Sequence, residues 1–226
     1  MKIGENATGF IKAAAGSPRV HPGEPMKNAA EICSVIDQAE ALKADVLVLP
    51  ELVLSGYTAA DLFLRAPLLE GVLTALECIK DHLKRPESEG LIVVLGAPIR
   101  ADGRLFNCAV FLENGRVLGM VRKSHLPNYQ EFYEARWFSP ASEAVSSTLE
   151  LLGDTVPFGT DLIFESASGL AIAAEICEDL WVAQPPATAA AAAGANVIVN
   201  LSASNETAGK AKFRRELVRL QSARSM

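Results

Sequence analysis

The chain is poor in the residues that build metal centres, disulfide frameworks and nucleic-acid surfaces. Only three of its 226 residues are histidine. His21, His82 and His125 are far apart, so no zinc-ligand spacing exists. The four cysteines, at 33, 78, 108 and 177, form no Cys-x-x-Cys pair and no compact disulfide framework. A reduced, cytoplasmic protein is the expectation. Lysine and arginine total 21 against 27 acidic residues, a net charge of -6. That balance predicts neither nucleic acid nor an anionic membrane as partner. No apolar run reaches bilayer length, and the alanine-rich stretch 187–195 reads as a short, closely packed helix. No secretory signal is expected from the first residues. Phosphate-binding glycine loops are missing as well: there is no Gly-x-x-x-x-Gly-Lys-[Ser/Thr], no Gly-x-Gly-x-x-Gly and no Ser-Gly-Gly-x-Asp-Ser.

What is present is the composition of a soluble globular protein, 50% hydrophobic and 21% charged. The length suits one large domain over residues 1–226. Strand-like apolar runs alternate with helical stretches. Phe10–Ala15 reads as a strand and Pro25–Lys43 as a helix, with Ala29, Ile32, Cys33, Ile36 and Ala39 on one stripe. Asp45–Pro50 and Leu91–Ala97 are continuous apolar runs, as in strands covered on both faces. Ala59–Lys84 reads as largely helical, with a break at Pro67. Asn114-Gly115 marks a hairpin between Leu105–Glu113 and Arg116–Lys123. Ser124–Gly159, rich in Ser, Pro, Glu and aromatics, reads as a long irregular insert of the kind that carries function. Strands at Asp161–Phe164, Gly169–Cys177 and Asn196–Leu201 follow, with helices at Pro186–Ala193 and Lys210–Ala223. The pattern is that of a layered α/β domain with mixed sheets.

Three chemically capable residues fall at strand ends, where open α/β sheets place ligands. Glu51 follows Pro50, Lys123 closes the hairpin, and Cys177 ends a buried-looking strand before Glu178-Asp179-Leu180-Trp181. Taken singly each has a plain explanation: a helix-start carboxylate, a solvated strand-end lysine, a small buried thiol. The acidic neighbours Glu175, Glu178 and Asp179 oppose a resting thiolate, so a catalytic Cys177 requires both a base and a cation. The remaining cysteines, Cys33, Cys78 and Cys108, read as packing residues.

In this order Glu51, Lys123 and Cys177 resemble the Glu-Lys-Cys triad of the nitrilase superfamily, the carbon–nitrogen hydrolases. Longer words narrow the resemblance to the family of glutamine-dependent NAD+ synthetases. They are Leu54-Ser-Gly-Tyr57 running on to Asp61-Leu-Phe-Leu-Arg65, Lys123-Ser-His-Leu-Pro-Asn-Tyr129 with Glu131-Phe-Tyr-Glu134 and Arg136-Trp-Phe138, Ile176-Cys-Glu-Asp-Leu-Trp181, and Asn200-Leu-Ser-Ala-Ser204 with Gly209-Lys210. The resemblance implies an α-β-β-α sandwich of two mixed sheets covered by helices. It implies glutamine hydrolysis through a Cys177 thioester, with Glu51 as base, Lys123 and the Glu178 N–H at the oxyanion, and Glu134 supporting Lys123. Tyr129, Ser204 and Lys210 match glutamine-contacting positions, and Tyr57 lines the pocket or packs. No metal or organic cofactor is implied for this domain. ATP and Mg2+ belong to a synthetase domain that receives the ammonia and has no counterpart in this sequence, so the chain reads as a C-terminally truncated fragment. A homo-oligomer is expected. Asn205-Glu206 departs from the family, which more often has a proline and apolar residues there. Two rivals stand beside this reading: a free-standing amidase acting on another small amide or nitrile, and a non-catalytic assembly domain.

Overall fold

A computed structural model describes residues 10–166 and 169–225. Strand β1 (Ala13–Ala15) leads into helix α1 (Pro25–Ala41), whose first turn carries a proline, a residue that suits a position needing no N–H donor. Ala29, Ile32, Ile36 and Ala39 bury one face of α1, as the periodicity predicts, while Cys33 is only partly covered. Strand β2 (Val46–Val48) is followed by a 3-10 segment, Tyr57–Leu64, and then by helix α2 (Ala66–His82). The break expected at Pro67 falls two residues earlier, at Arg65, whose backbone is extended (φ -103°, ψ 127°), and the piece before it is 3-10 and not α-helical. Ala60 has φ +51°, which breaks the first, and Pro67 lies in the opening turn of α2. Cys78 on α2 is exposed and is no packing residue.

Strands β3 (Ile92–Ala101), β4 (Arg104–Glu113) and β5 (Arg116–Arg122) form an antiparallel meander. The insert after it is less irregular than its composition suggests. It contains a hairpin of β6 (Thr148–Leu151) and β7 (Asp154–Gly159). With β7 parallel to β5, the order β1-β2-β3-β4-β5-β7-β6 makes one seven-stranded mixed sheet. The strand expected at Asp161–Phe164 shrinks to β8 (Phe164–Glu165). It pairs with β9 (Ala171–Ile176), which lies parallel to β10 (Val197–Leu201), giving a three-stranded mixed sheet. Helix α3 (Pro186–Ala192) packs on β9 and β10, and α4 (Lys210–Arg224) reaches α3 through Gln221 and Thr188, 3.2 Å apart.

Alternation along the strands sorts the core into layers. Val93, Leu95, Ala97 and Ile99 of β3 face α1 and α2. Ile92 and Val94 of the same strand face Ile172, Ala174, Val199 and Leu201 of the small sheet. The layers run α-β-β-α. Among the described residues no helix is long and apolar enough to cross a membrane.

One close approach positions the site. A Cβ on Gly96 would lie 2.2 Å from Leu52 N and 2.7 Å from the Glu51 carbonyl carbon. Such contacts are far inside van der Waals range, so only glycine lets the turn after β2 rest on β3. That turn carries Glu51. Its backbone is held by Gly96 N–H donating to Pro50 O at 3.2 Å and Leu54 N–H donating to Gly96 O at 3.3 Å.

Candidate active site

The structure gathers Glu51, Lys123, Glu134 and Cys177 in one buried cluster. Lys123 follows β5 directly, and its N–H donates to Asn107 O at 2.9 Å, so the ladder holds its backbone. Its Nζ, fully buried, donates to Glu51 Oε1 at 2.6 Å and to Glu134 Oε1 and Oε2 at 2.7 and 2.9 Å. Burial opposes the Lys123 charge, but the two carboxylates outweigh it and hold its pKa above the usual lysine value. The triple carries one negative charge too many for a low-dielectric site. Burial, and then repulsion from Glu51, push Glu134 up toward neutrality. Tyr57 donates its hydroxyl to Glu134 Oε1 at 2.7 Å, which places it as a partner of that carboxylate. Asn107 donates to Glu51 Oε1 at 2.7 Å, and Ala203 N–H to Glu51 Oε2 at 3.0 Å. Oε1 thus takes two donors and Oε2 one.

Cys177 stands where β9 ends and a 3-10 turn, Cys177–Leu180, begins. Its φ is +46°, a left-handed conformation that costs a non-glycine residue about 1–2 kcal/mol. Asp179 holds this elbow. Its carboxylate accepts from Ile176 N–H at 3.1 Å, His125 N–H at 2.8 Å and Ser124 N–H at 3.2 Å, with His125 Nδ1 2.9 Å away. One buried carboxylate therefore fastens the residue before the thiol to the two residues after Lys123. Burial, chiefly, pushes the thiol pKa up to about 12, with Glu51 adding to it and Lys123 and Ser202 opposing. The thiol is protonated at rest. The carboxylates that weigh most on it are Glu51 and Glu134, remote in sequence, and not the neighbours Glu175, Glu178 and Asp179.

Two loops form the rim. Tyr129, half exposed, donates its hydroxyl to Glu178 Oε2 at 2.9 Å, beside the thiol. Ser204 lies on the opposite loop, its N–H donating to Ser202 Oγ at 3.2 Å. Asn205, where the sequence departs from the family, hydrogen-bonds both Glu131 and Lys210 and so ties the two loops together. The Lys210 ammonium also lies 5.5 Å from the centroid of the Trp181 ring. Among the described residues no group of three or more His, Cys, Asp or Glu could hold a metal ion.

Glu175 has turned away from this cluster. It accepts from Ala187 N–H at 3.2 Å and Asn200 Nδ2 at 3.4 Å, and it lines a cavity of about 480 Å3 with Leu180, Asn200, Val218 and Gln221. Burial pushes its pKa from 4.5 up to about 7. The folded value lies above the unfolded one, so the native state binds the extra proton between them. Stability on this account is greatest below pH 4.5 and is lost as pH rises through 7. Glu175→Gln keeps an acceptor and removes the charge. It is expected to raise stability at pH 8 by up to about 3 kcal/mol and to change it little at pH 5. Thermal unfolding at the two pH values checks this, and equal effects at both would refute it.

Asn107, Asp179, Ser202 and Glu175 were not singled out by the sequence pattern as site residues. Each acts through a partner 25 to 56 residues away, and the only local signal was polarity inside or beside an apolar strand.

The family profile described as carbon-nitrogen hydrolase matches residues 12–226. The glutamine-dependent NAD(+) synthetase of Mycobacterium tuberculosis is 43% identical over 223 residues, which is 96% of this chain and 32% of that protein. The Thermotoga maritima protein of the same name is 32% identical over 184 residues, 81% of this chain and 28% of its own. The chain therefore spans about a third of the length of these curated relatives. Among solved structures, a glutamine-dependent NAD(+) synthetase from Cytophaga hutchinsonii superposes with a TM-score of 0.78 at 31% identity, covering 92% of this chain and 33% of that one. An amidase from Nesterenkonia sp. shares the fold, with a TM-score of 0.71 at 18% identity over 93% of this chain and 71% of its own. With its sandwich of mixed sheets and a profile match over nearly its whole length, this chain belongs to the carbon–nitrogen hydrolase family.

Proposed function

We propose that residues 1–226 act as one glutamine amidohydrolase domain, releasing glutamate and ammonia through a Cys177 thioester. The observation that carries this is the buried Glu51–Lys123–Glu134 cluster beside a thiol on a left-handed elbow. It occurs in a chain 43% identical to a glutamine-dependent NAD(+) synthetase. Because the thiol rests protonated, its proton leaves as attack begins. Glu51 accepts it, best at Oε2, the oxygen with fewer donors. Sγ bonds to the amide carbon, and the carbonyl electrons move onto oxygen, facing Lys123 and the Glu178 N–H. Collapse breaks the C–N bond while Glu51 returns the proton to nitrogen, so ammonia departs and a thioester remains. Water then attacks with Glu51 taking its proton, and expulsion of the thiol restores Cys177 and yields glutamate. Glu134, held by Tyr57, keeps the Lys123 ammonium in place. Tyr129 and Ser204 contact the substrate, and Lys210 pairs with its α-carboxylate.

On this reading the ammonia serves amidation of nicotinic acid adenine dinucleotide to NAD+ in a synthetase part lying outside residues 1–226. That part uses ATP and Mg2+, and the amidase domain needs no cofactor of its own. The protein works in the cytoplasm as a homo-oligomer. Substrate choice tests the assignment. Lys210→Ala should raise the glutamine KM about tenfold or more while lowering kcat less, the pattern of lost uniform binding. Amides lacking the α-carboxylate should be poor substrates. Their turnover at the rate of glutamine would transfer the assignment to a general small-amide hydrolase.

A further inference from the structure

We infer that Ser202 is a further catalytic residue, whose hydroxyl donates to the Cys177 sulfur and stabilises the thiolate as it forms. The inference rests on the reading of Cys177 as the nucleophile. Ser202 follows β10, and the β9–β10 register pairs Leu201 with Ile176, so Ser202 stands opposite the thiol. Its Oγ lies 3.4 Å from Cys177 Sγ, within range for a hydrogen bond to sulfur. A hydroxyl alone would be free to rotate. Here the N–H of Ser204 donates to Ser202 Oγ at 3.2 Å, which occupies a lone pair and turns the O–H toward the sulfur.

The next N–H along fixes the other half of the reacting pair. Ala203 N–H donates to Glu51 Oε2 at 3.0 Å. Three consecutive residues, Ser202, Ala203 and Ser204, thus hold the nucleophile, the base and the hydroxyl between them. While Ser202 donates to sulfur, the proton of the thiol is directed elsewhere, and Glu51 is the acceptor close enough to weigh on its charge. When that proton leaves, the Ser202 hydrogen bond strengthens, because bonds to an ionised acceptor are stronger than neutral ones. Stabilisation that grows along the reaction speeds it. Lys123 offsets the thiolate charge from its place among two carboxylates, so Ser202 is the neutral donor seated directly on the sulfur.

Alkylation of Cys177 by iodoacetamide across pH reads this without any amide substrate. In the full chain, Ser202→Ala is expected to slow Cys177 alkylation about tenfold at each pH between about 7 and 9, the change that a smaller thiolate fraction produces. It should lower glutamine kcat about tenfold and leave KM within about twofold. Ser202→Thr, which keeps the hydroxyl, should hold both values near those of the unaltered protein. An unchanged alkylation profile in Ser202→Ala, or a Thr variant behaving as the Ala variant does, overturns the assignment. If the unaltered protein alkylates at Cys177 with the Ser202-dependent profile yet does not hydrolyse glutamine, the substrate reading falls and the role of Ser202 stands. Thermal unfolding of each variant confirms that folded protein is compared.

Discussion

Cys177→Ala is expected to lower glutamine hydrolysis by on the order of a thousandfold or more, with the fold retained. The loss follows from chemistry: without sulfur there is no thioester, and nothing else in the cluster is a nucleophile of comparable strength. The fold survives for two reasons. Cys177 is 6% exposed, and removing one sulfur atom leaves a small void, costing about 1–2 kcal/mol. The left-handed backbone at φ +46° is as unfavourable for alanine as for cysteine, so no new strain enters. A glutamine-mimicking electrophile should label the unaltered protein once and the variant not at all, read by intact mass. Alanine at Cys33, Cys78 or Cys108 should leave turnover unchanged. Cys108 is wholly buried in β4 and is the one of these three expected to cost stability. Hydrolysis by Cys177→Ala at near the original rate would end the nucleophile assignment.

The charge cluster carries the second large effect, and it splits activity from stability. Glu51→Gln removes the base but leaves Lys123 paired with Glu134 at 2.7 Å. Lys123→Ala leaves two carboxylates buried and facing each other. Both variants are expected to lose on the order of a hundredfold or more in kcat. Only Lys123→Ala should also lose about 3–5 kcal/mol of stability, the usual cost of stranding a buried charge. That deficit should depend on pH with a definite sign. Stranded carboxylates have folded pKa values raised above their unfolded ones, as burial and Glu51 already do to Glu134. They therefore bind protons in the native state as pH falls, and the deficit shrinks from pH 8 to pH 5. Thermal unfolding at both pH values, beside steady-state kinetics, tests both parts. Rates within tenfold of the unaltered protein for both variants would show that these residues do not work as a unit.

Sequence alone reached the strand ends, because a short apolar run that turns polar in one step fixes both a buried strand and the place where chemistry can start. Val46–Val48 before Glu51 and Ala171–Ile176 before Cys177 are of this kind. It did not reach the β6–β7 hairpin. That turn uses Leu152 at φ +50° with Gly153, without the Asn-Gly pair that marks the β4–β5 turn, and its strands are short, with Pro157 interrupting the second. The acidic residues around Cys177 were the instructive error. Counted along the chain they burden the thiol, yet in space Asp179 receives backbone donors from 54 and 55 residues away and serves as a fastening. Tyr57 likewise meets Glu134 across 77 residues, a contact that no local pattern encodes.

The division of the core between two sheets has a consequence for synthesis on the ribosome. Residues up to 159 can form the seven-stranded sheet, and they leave Val46, Ile92, Val94, Ala109, Phe111 and Val121 without cover on its inner face. Their cover, Ile172, Ala174, Val199 and Leu201, is translated later. A nascent chain halted between these points presents a broad apolar sheet, the kind of surface that aggregates or recruits chaperones. Glu51 receives its final donor from Ala203, 152 residues downstream. On the proposed mechanism, competence to cleave an amide is thus acquired only after residue 203 has emerged and the second sheet has docked, and no nascent species shorter than this can hydrolyse substrate.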